Sequence, residues 1–232
     1  MTTNFEITSN IEEKIPILRM EPISMGPLVV IVPSIFGIGS DVVEYGKIFS
    51  KAGALVYVMD SFWREDSGPL PIPNGAPRAM KRMNQVDPDN VLNDLLCAIE
   101  HGKMESLCNG SVILLGICFG GKFVVKATGK TKVHGLATWH GGDILSVLHS
   151  SDLEHVHVEM DFGENDPLIP LSDVKKIRDF LQYVQNIQIR THANSGHGFT
   201  HLNTMKYDDN ASQHAKKGVQ DLIELFKRYG IK

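Results

Sequence analysis

Ser111-Val112-Ile113-Leu114-Leu115-Gly116-Ile117-Cys118-Phe119-Gly120-Gly121-Lys122 runs from an apolar segment through a glycine-rich turn. Residues 111–115 form a continuous apolar run that predicts a buried strand, and a helix is expected to start near Lys122. Between them stands Gly-x-Cys-x-Gly-Gly. A strand that reverses sharply into a helix holds the side chain at the apex in a strained, exposed position. Flanking glycines are needed because a Cβ there would strike the neighbouring strand and helix. The backbone N–H of Phe119, at the start of the helix, is left free for an anion. This spacing is a nucleophile elbow with cysteine at its apex, and it points to acyl transfer by a thiol.

Outward from the elbow, strand-like and helical runs alternate. Upstream lie an apolar strand at 27–32, a helix at 41–53, a strand at 55–60 and a Pro/Gly-rich loop at 67–77. A helix follows at 88–103, with Val91, Leu95, Leu96 and Ile99 near helical spacing. Downstream come the helix after Gly121, strands at 134–139 and 155–162, a helix at 173–184, a short strand at 187–191 and a closing helix at 212–229. The strands are apolar throughout rather than alternating, so both sheet faces must be covered. The expected fold is one α/β domain over residues 1–232, a three-layer sandwich with six to eight mostly parallel strands between helices. Residues 1–25 are expected to add a peripheral hairpin that sets 5–8 against 15–20.

The composition narrows the function. Net charge is −4 with no basic stripe, which argues against nucleic acid as a partner. Met1 to Asn10 is polar and lacks a secretory pattern, and no apolar run approaches the roughly 20 residues that span a bilayer. Three cysteines, Cys97, Cys108 and Cys118, are odd in number and lack C-x-x-C spacing, so neither a disulfide framework nor a zinc site is expected. A reducing, cytoplasmic setting fits this usage. Cys97 reads as a residue of an apolar helix and Cys108 as part of the turn Cys108-Asn109-Gly110, both inert. His155 and His157 share a strand face with His149 nearby, but no carboxylate or cysteine pattern accompanies them, and no metal is expected.

A cysteine nucleophile needs a base to take its proton and an acid to orient that base. Gly163-Glu164-Asn165-Asp166-Pro167 follows a strand and places Asp166 in a strand-end loop, with Glu164 as its neighbouring rival. Asn194-Ser195-Gly196-His197-Gly198-Phe199 follows the next strand and puts His197 between glycines. Nucleophile, acid and histidine then occur in the order 118, 166, 197, the order of an α/β-hydrolase.

With these motifs the chain resembles the dienelactone hydrolase family. The resemblance is carried by Val32-Pro33-Ser34-Ile35-Phe36-Gly37, the Gly116 to Gly121 elbow, the 163–170 loop and Ser195-Gly196-His197-Gly198-Phe199, and runs from Pro27 to the closing helix. It implies Cys118, Asp166 and His197 as the triad, the N–H groups of Ile35 and Phe119 as oxyanion hole, and a small ester or lactone as substrate. No cofactor is implied, and the oligomeric state is left open. Two positions depart from members that act on dienelactone: Ser34 replaces a glutamate beside the nucleophile, and His201 replaces an arginine for the substrate carboxylate. Phe36, Trp63 and His140 are expected to line the pocket. Arg78 and Arg82, one helical turn apart, are candidates for an anionic substrate.

Two other motifs compete. Gly116 to Lys122 satisfies the core of a phosphate-binding loop, but Phe123 stands where Ser or Thr must hold magnesium. Gly37-Ile38-Gly39 with Asp60 about twenty residues on imitates a dinucleotide turn, although Val42 replaces the third glycine. The rival reading is therefore a non-catalytic α/β domain that binds a small molecule or dinucleotide, which thermal stabilisation by NAD would reveal.

Overall fold

Every residue of the strands Gly26–Val32, Leu55–Met59 and Gly135–Trp139 is buried, as unbroken apolar runs require when both faces of a sheet are covered. The computed structural model describes residues 1–9 and 12–228. In chain order the elements are β1 (Thr2–Thr8), β2 (Lys14–Met20), β3 (Gly26–Val32), α1 (Ser40–Ala52), β4 (Leu55–Met59), α2 (Ala76–Gln85), α3 (Pro88–Lys103) and β5 (Cys108–Ile117). There follow α4 (Gly120–Thr128), β6 (Gly135–Trp139), β7 (His157–Gly163), α5 (Leu171–Phe180), β8 (Ile187–His192) and α6 (Asp209–Arg228).

The eight strands form one sheet in the order β1-β2-β4-β3-β5-β6-β7-β8. The pairs from β4 through β8 are parallel, while β1–β2 and β2–β4 are antiparallel. Alternate residues of each strand feed two cores. Leu28, Val30, Tyr57, Leu114, Leu136 and Met160 pack with Leu95 and Ile99 of α3, Val124 of α4 and Val174 of α5. Val29, Ile31, Val58, Ile113, Leu115 and Trp139 pack with Tyr45 and Phe49 of α1 and with Val219 and Ile223 of α6. Helices thus cover both faces.

Several sequence expectations need correction. The N-terminal hairpin is not peripheral: β2 pairs with β4 in the register Ile17↔Met59 to Met20↔Val56, and Ile15, Ile17 and Met20 are buried. The hairpin is the edge of the central sheet. The loop at 67–77 ends in α2, which begins at Ala76 with Pro at its first turn, a position where a missing N–H costs nothing. Cys108 is the first residue of β5 and is buried, not part of a turn. His155 precedes β7 rather than sharing a face with His157. Helix α5 ends at Phe180, short of 184, and α6 begins at Asp209, ahead of 212; Tyr229 lies outside the described residues.

Parallel strands present all their C-terminal ends to one edge. The chain leaves β3 toward β4 on one side and returns to β5 on the other, so the order switches between β3 and β5. Loops diverge at such a point and leave a crevice. The turn after β3, from Ser34 to Gly37, and the elbow after β5 face each other across it.

Candidate active site

Cys118 sits at the end of β5 with φ of 52°, in the left-handed region, a conformation that costs a Cβ-bearing residue about 1–3 kcal/mol. Surrounding hydrogen bonds hold it there. Its N–H is donated to the Trp139 carbonyl at 3.0 Å, and its own carbonyl accepts from Gly121 at 3.0 Å and Gly142 at 2.8 Å. The glycines are required by contact. A Cβ on Gly116 would lie 2.6 Å from the Gly120 carbonyl oxygen, one on Gly120 2.0 Å from that of Val32, and one on Gly121 2.5 Å from Gly141 Cα. Phe119 then caps the N-terminus of α4.

Three strand-end loops converge on the thiol. His197 Nε2 lies 3.0 Å from Cys118 Sγ, and His197 Nδ1 lies 2.7 Å from Asp166 Oδ2. The second Asp166 oxygen accepts the N–H groups of Leu168 at 2.8 Å and Ile169 at 3.1 Å, which fixes the carboxylate. Its side chain is fully buried. The rival Glu164 is exposed and accepts from Thr191 Oγ1 instead. Burial alone would lower the His197 pKa; its hydrogen bonds to Asp166 and Cys118 outweigh this and raise it to about 9.

Ser34 is buried, and its Oγ accepts the Phe36 N–H at 3.3 Å. Phe36 is half-buried and meets His201 edge-on at 5.9 Å. Arg82, a candidate from the sequence for an anionic substrate, has its guanidinium taken up by backbone carbonyls instead. It is 1% exposed. Its guanidinium donates to the Ile35 carbonyl at 2.8 and 2.6 Å, and to the carbonyls of Asp66 and Gly68 at 2.8 Å each. It fastens the turn after β3 to the loop after β4. Arg78 pairs with Asp66 at the surface.

His201 is not open to a substrate carboxylate either. It is buried, and its Nδ1 lies 2.8 Å from Asp41 Oδ2. Trp63 is tied to α3: its indole N–H is donated to Asp94 at 2.8 Å, and Arg64 stacks on its ring. His140 lies behind the triad rather than on a pocket wall. It is fully buried, 4.8 Å from the His197 ring, with Nε2 2.9 Å from Thr200 Oγ1. Burial, with His197 and His201 alongside, pushes its pKa well below the ordinary histidine value. His192 Nε2 lies 2.8 Å from the buried Asp161, which also accepts from Arg190.

Sequence reasoning missed the supports. Tyr45 of α1 donates to the Thr200 carbonyl at 2.8 Å and shares a hydrogen bond with Ser212 of α6, steadying the turn after His197. Asp41 and His201 stand 160 residues apart, and no local pattern links them. Asp60, the acid of the dinucleotide reading, accepts the N–H groups of Phe62 and Gly68 of its own loop. His149 and His157 meet Phe180 and Phe226, and His155 belongs to the turn before β7.

Beside His197 a groove of about 590 Å³ is lined by Leu168, Met205, Lys206 and Tyr207 among others. No described helix is long and apolar enough to cross a membrane.

Comparison with known proteins agrees with this architecture. The sequence profile of the dienelactone hydrolase family matches residues 16–230. A Synechocystis sp. protein provisionally named a carboxymethylenebutenolidase is 26% identical over 218 residues, covering 88% of this chain and 89% of its own. The carboxymethylenebutenolidase of Pseudomonas sp. strain P51 is 19% identical over 216 residues, covering 92% and 90%. Among solved structures, a Klebsiella pneumoniae protein provisionally described as a dienelactone hydrolase superposes with a TM-score of 0.79 at 18% identity, over 99% of each chain.

Proposed function

The chain belongs to the dienelactone hydrolase family, and from that footing we propose that it hydrolyses a small carboxylic ester or lactone, with Cys118 as nucleophile and a thioester as intermediate. The observation that carries this reading is the placement of His197, with one ring nitrogen on Cys118 Sγ and the other on Asp166. His197 deprotonates Cys118 and keeps the proton as imidazolium, and the thiolate attacks the carbonyl carbon. Asp166 holds the ring in the tautomer that presents Nε2 and stabilises the imidazolium. The developing oxyanion meets the N–H groups of Ile35 and Phe119. Collapse expels the alkoxide, which receives the proton from His197. Water, deprotonated by His197, then attacks the thioester and releases the carboxylic acid and the thiol.

The supporting residues fit these steps. Arg82 holds the Ile35 carbonyl from behind, which limits rotation of the peptides that form the anion cradle. The groove beside His197 combines the apolar Leu168 and Met205 with Lys206; we assign it to the hydrocarbon part of the substrate. Steady-state hydrolysis of p-nitrophenyl esters and small lactones tests the proposal. Cys118→Ala should lose on the order of 10⁴-fold or more in kcat while keeping the wild-type circular dichroism. Wild-type turnover by that variant would place the activity elsewhere.

A further inference from the structure

His140 carries a feature that hydrolysis does not use. The side chain is fully buried, and among the described residues its Nδ1 has no hydrogen-bond partner. A buried, unpaired imidazole nitrogen is costly, on the order of 1–3 kcal/mol, and calls for an explanation. Its surroundings supply one. A ring nitrogen of His140, a ring nitrogen of His197 and Cys118 Sγ lie within 4.8 Å of one another.

We propose that Cys118, His140 and His197 form a binding site for a single borderline-soft divalent cation, of which Zn²⁺ is the type. Two imidazoles and a thiolate are the donors that suit zinc rather than magnesium or calcium. In a tetrahedral zinc site, N and S ligands at ~2.0–2.3 Å from the metal are themselves ~3.3–3.8 Å apart. The Cys118–His197 pair, at 3.0 Å, has to open by about 0.3–0.8 Å to reach this separation, and His140 has to close by about 1.5 Å at most from the 4.8 Å limit.

Other details suit a cation. Asp166 accepts from His197 Nδ1, the carboxylate–histidine–metal arrangement that fixes the tautomer and strengthens the ligand. Thr200 Oγ1 does the same for Nε2 of His140. Cys118 is partly exposed, which gives a path of entry and leaves the fourth position to water. The three ligands come from the ends of β5 and β6 and the turn after β8, so no short sequence spacing announces the site. Binding replaces the thiol proton, which passes to solvent, by an S–metal bond. On the functional reading above, an occupied site has no free nucleophile, so Zn²⁺ would inhibit hydrolysis and a chelator would restore it.

Cobalt(II) is the direct probe, because ligation by a thiolate gives a near-ultraviolet charge-transfer band and tetrahedral geometry gives visible bands. Metal-free full-length protein titrated with Co²⁺ should develop both at one equivalent, and Zn²⁺ but not Mg²⁺ should remove them. Cys118→Ala should lose the near-ultraviolet band. His140→Phe should bind at least about tenfold more weakly, as loss of one ligand demands. Should His140→Phe not fold, His140→Asn is expected to show the same loss. Absence of the sulfur band in excess cobalt, or wild-type cobalt affinity in the folded His140 variant, would overturn the site. Hydrolysis by the metal-free protein is assayed separately, so a protein that binds cobalt without hydrolysing esters would refute the proposed function and leave the metal site standing.

Discussion

Gly120→Ala is the smallest change that should break the site, and the structure sets its size. Gly120 is a helical residue, so alanine would ordinarily gain about 0.5–1 kcal/mol there. The added Cβ, however, would lie 2.0 Å from the Val32 carbonyl oxygen and 2.8 Å from its carbon. Both atoms are backbone of β3 and cannot rotate aside. Contact distances of ordinary size require α4 and the end of β3 to part by about 1 Å or more. Forcing such a gap into a packed core costs up to about 3 kcal/mol, so the net loss is about 2 kcal/mol. For a chain of this length that is a drop in Tm of roughly 4–8 °C. The same movement separates Phe119 from the turn after β3, and a 1 Å misplacement of reacting groups costs on the order of 10²-fold in rate. Gly142→Ala is the control, because its Cβ would meet the Cys118 carbonyl oxygen at an ordinary 3.7 Å. It should stay within about 0.5 kcal/mol of wild type. Differential scanning calorimetry and ester kinetics on both variants decide the matter. Wild-type Tm and kcat/KM in Gly120→Ala would refute the argument that close approach, rather than flexibility, explains this glycine.

Other outcomes follow from the same geometry. Asp166→Asn should cut kcat by about 10⁴-fold, whereas Glu164→Gln should stay near wild type, since Glu164 reaches Thr191 and not His197; kinetics of the two separate the acids. His197 should titrate near 9 by NMR, and Asp166→Asn should lower that midpoint. Because its folded pKa lies above the unfolded value, the stability it adds is full below about 6.5 and fades as pH rises through 9. The Tm advantage of wild type over His197→Asn should therefore shrink across that window. Arg82→Met should lower kcat on neutral and anionic esters alike, since its guanidinium meets backbone carbonyls rather than the groove; a selective rise in KM for anionic esters would restore it as a substrate ligand. Asp41→Ala should destabilise by about 1–3 kcal/mol, because it leaves the buried His201 Nδ1 without its hydrogen-bond partner, and denaturant melts would show it.

What could be read from the sequence was local. The apolar runs around residues 29, 57, 114 and 137 announce buried parallel strands, and the elbow glycines announce a close helix–strand approach. Both rest on neighbours in the chain. Arg82 and His201 read as substrate ligands because a polar side chain looks the same in sequence whether a ligand, solvent or a buried acceptor receives it. Only the fold brings Ile35 to one and Asp41 to the other. The hairpin itself is legible in the two short runs that pair as Phe5↔Ile17, but its place in the central sheet is not, because the pairing of β2 with β4 is a long-range event. His140 follows the strand Gly135–Trp139 and reads as a pocket residue. Its burial behind His197 depends on Thr200 and Phe199, some sixty residues downstream.

Whether Cys118 carries the acyl group is decided by rapid acid quench of a p-nitrophenyl ester reaction followed by peptide mass spectrometry. An acyl adduct is expected on the peptide containing Cys118, formed within the burst of p-nitrophenol and enriched in Asp166→Asn, where deacylation is slowed. An adduct on another residue, or hydrolysis that proceeds in Cys118→Ala with no adduct at all, would contradict it.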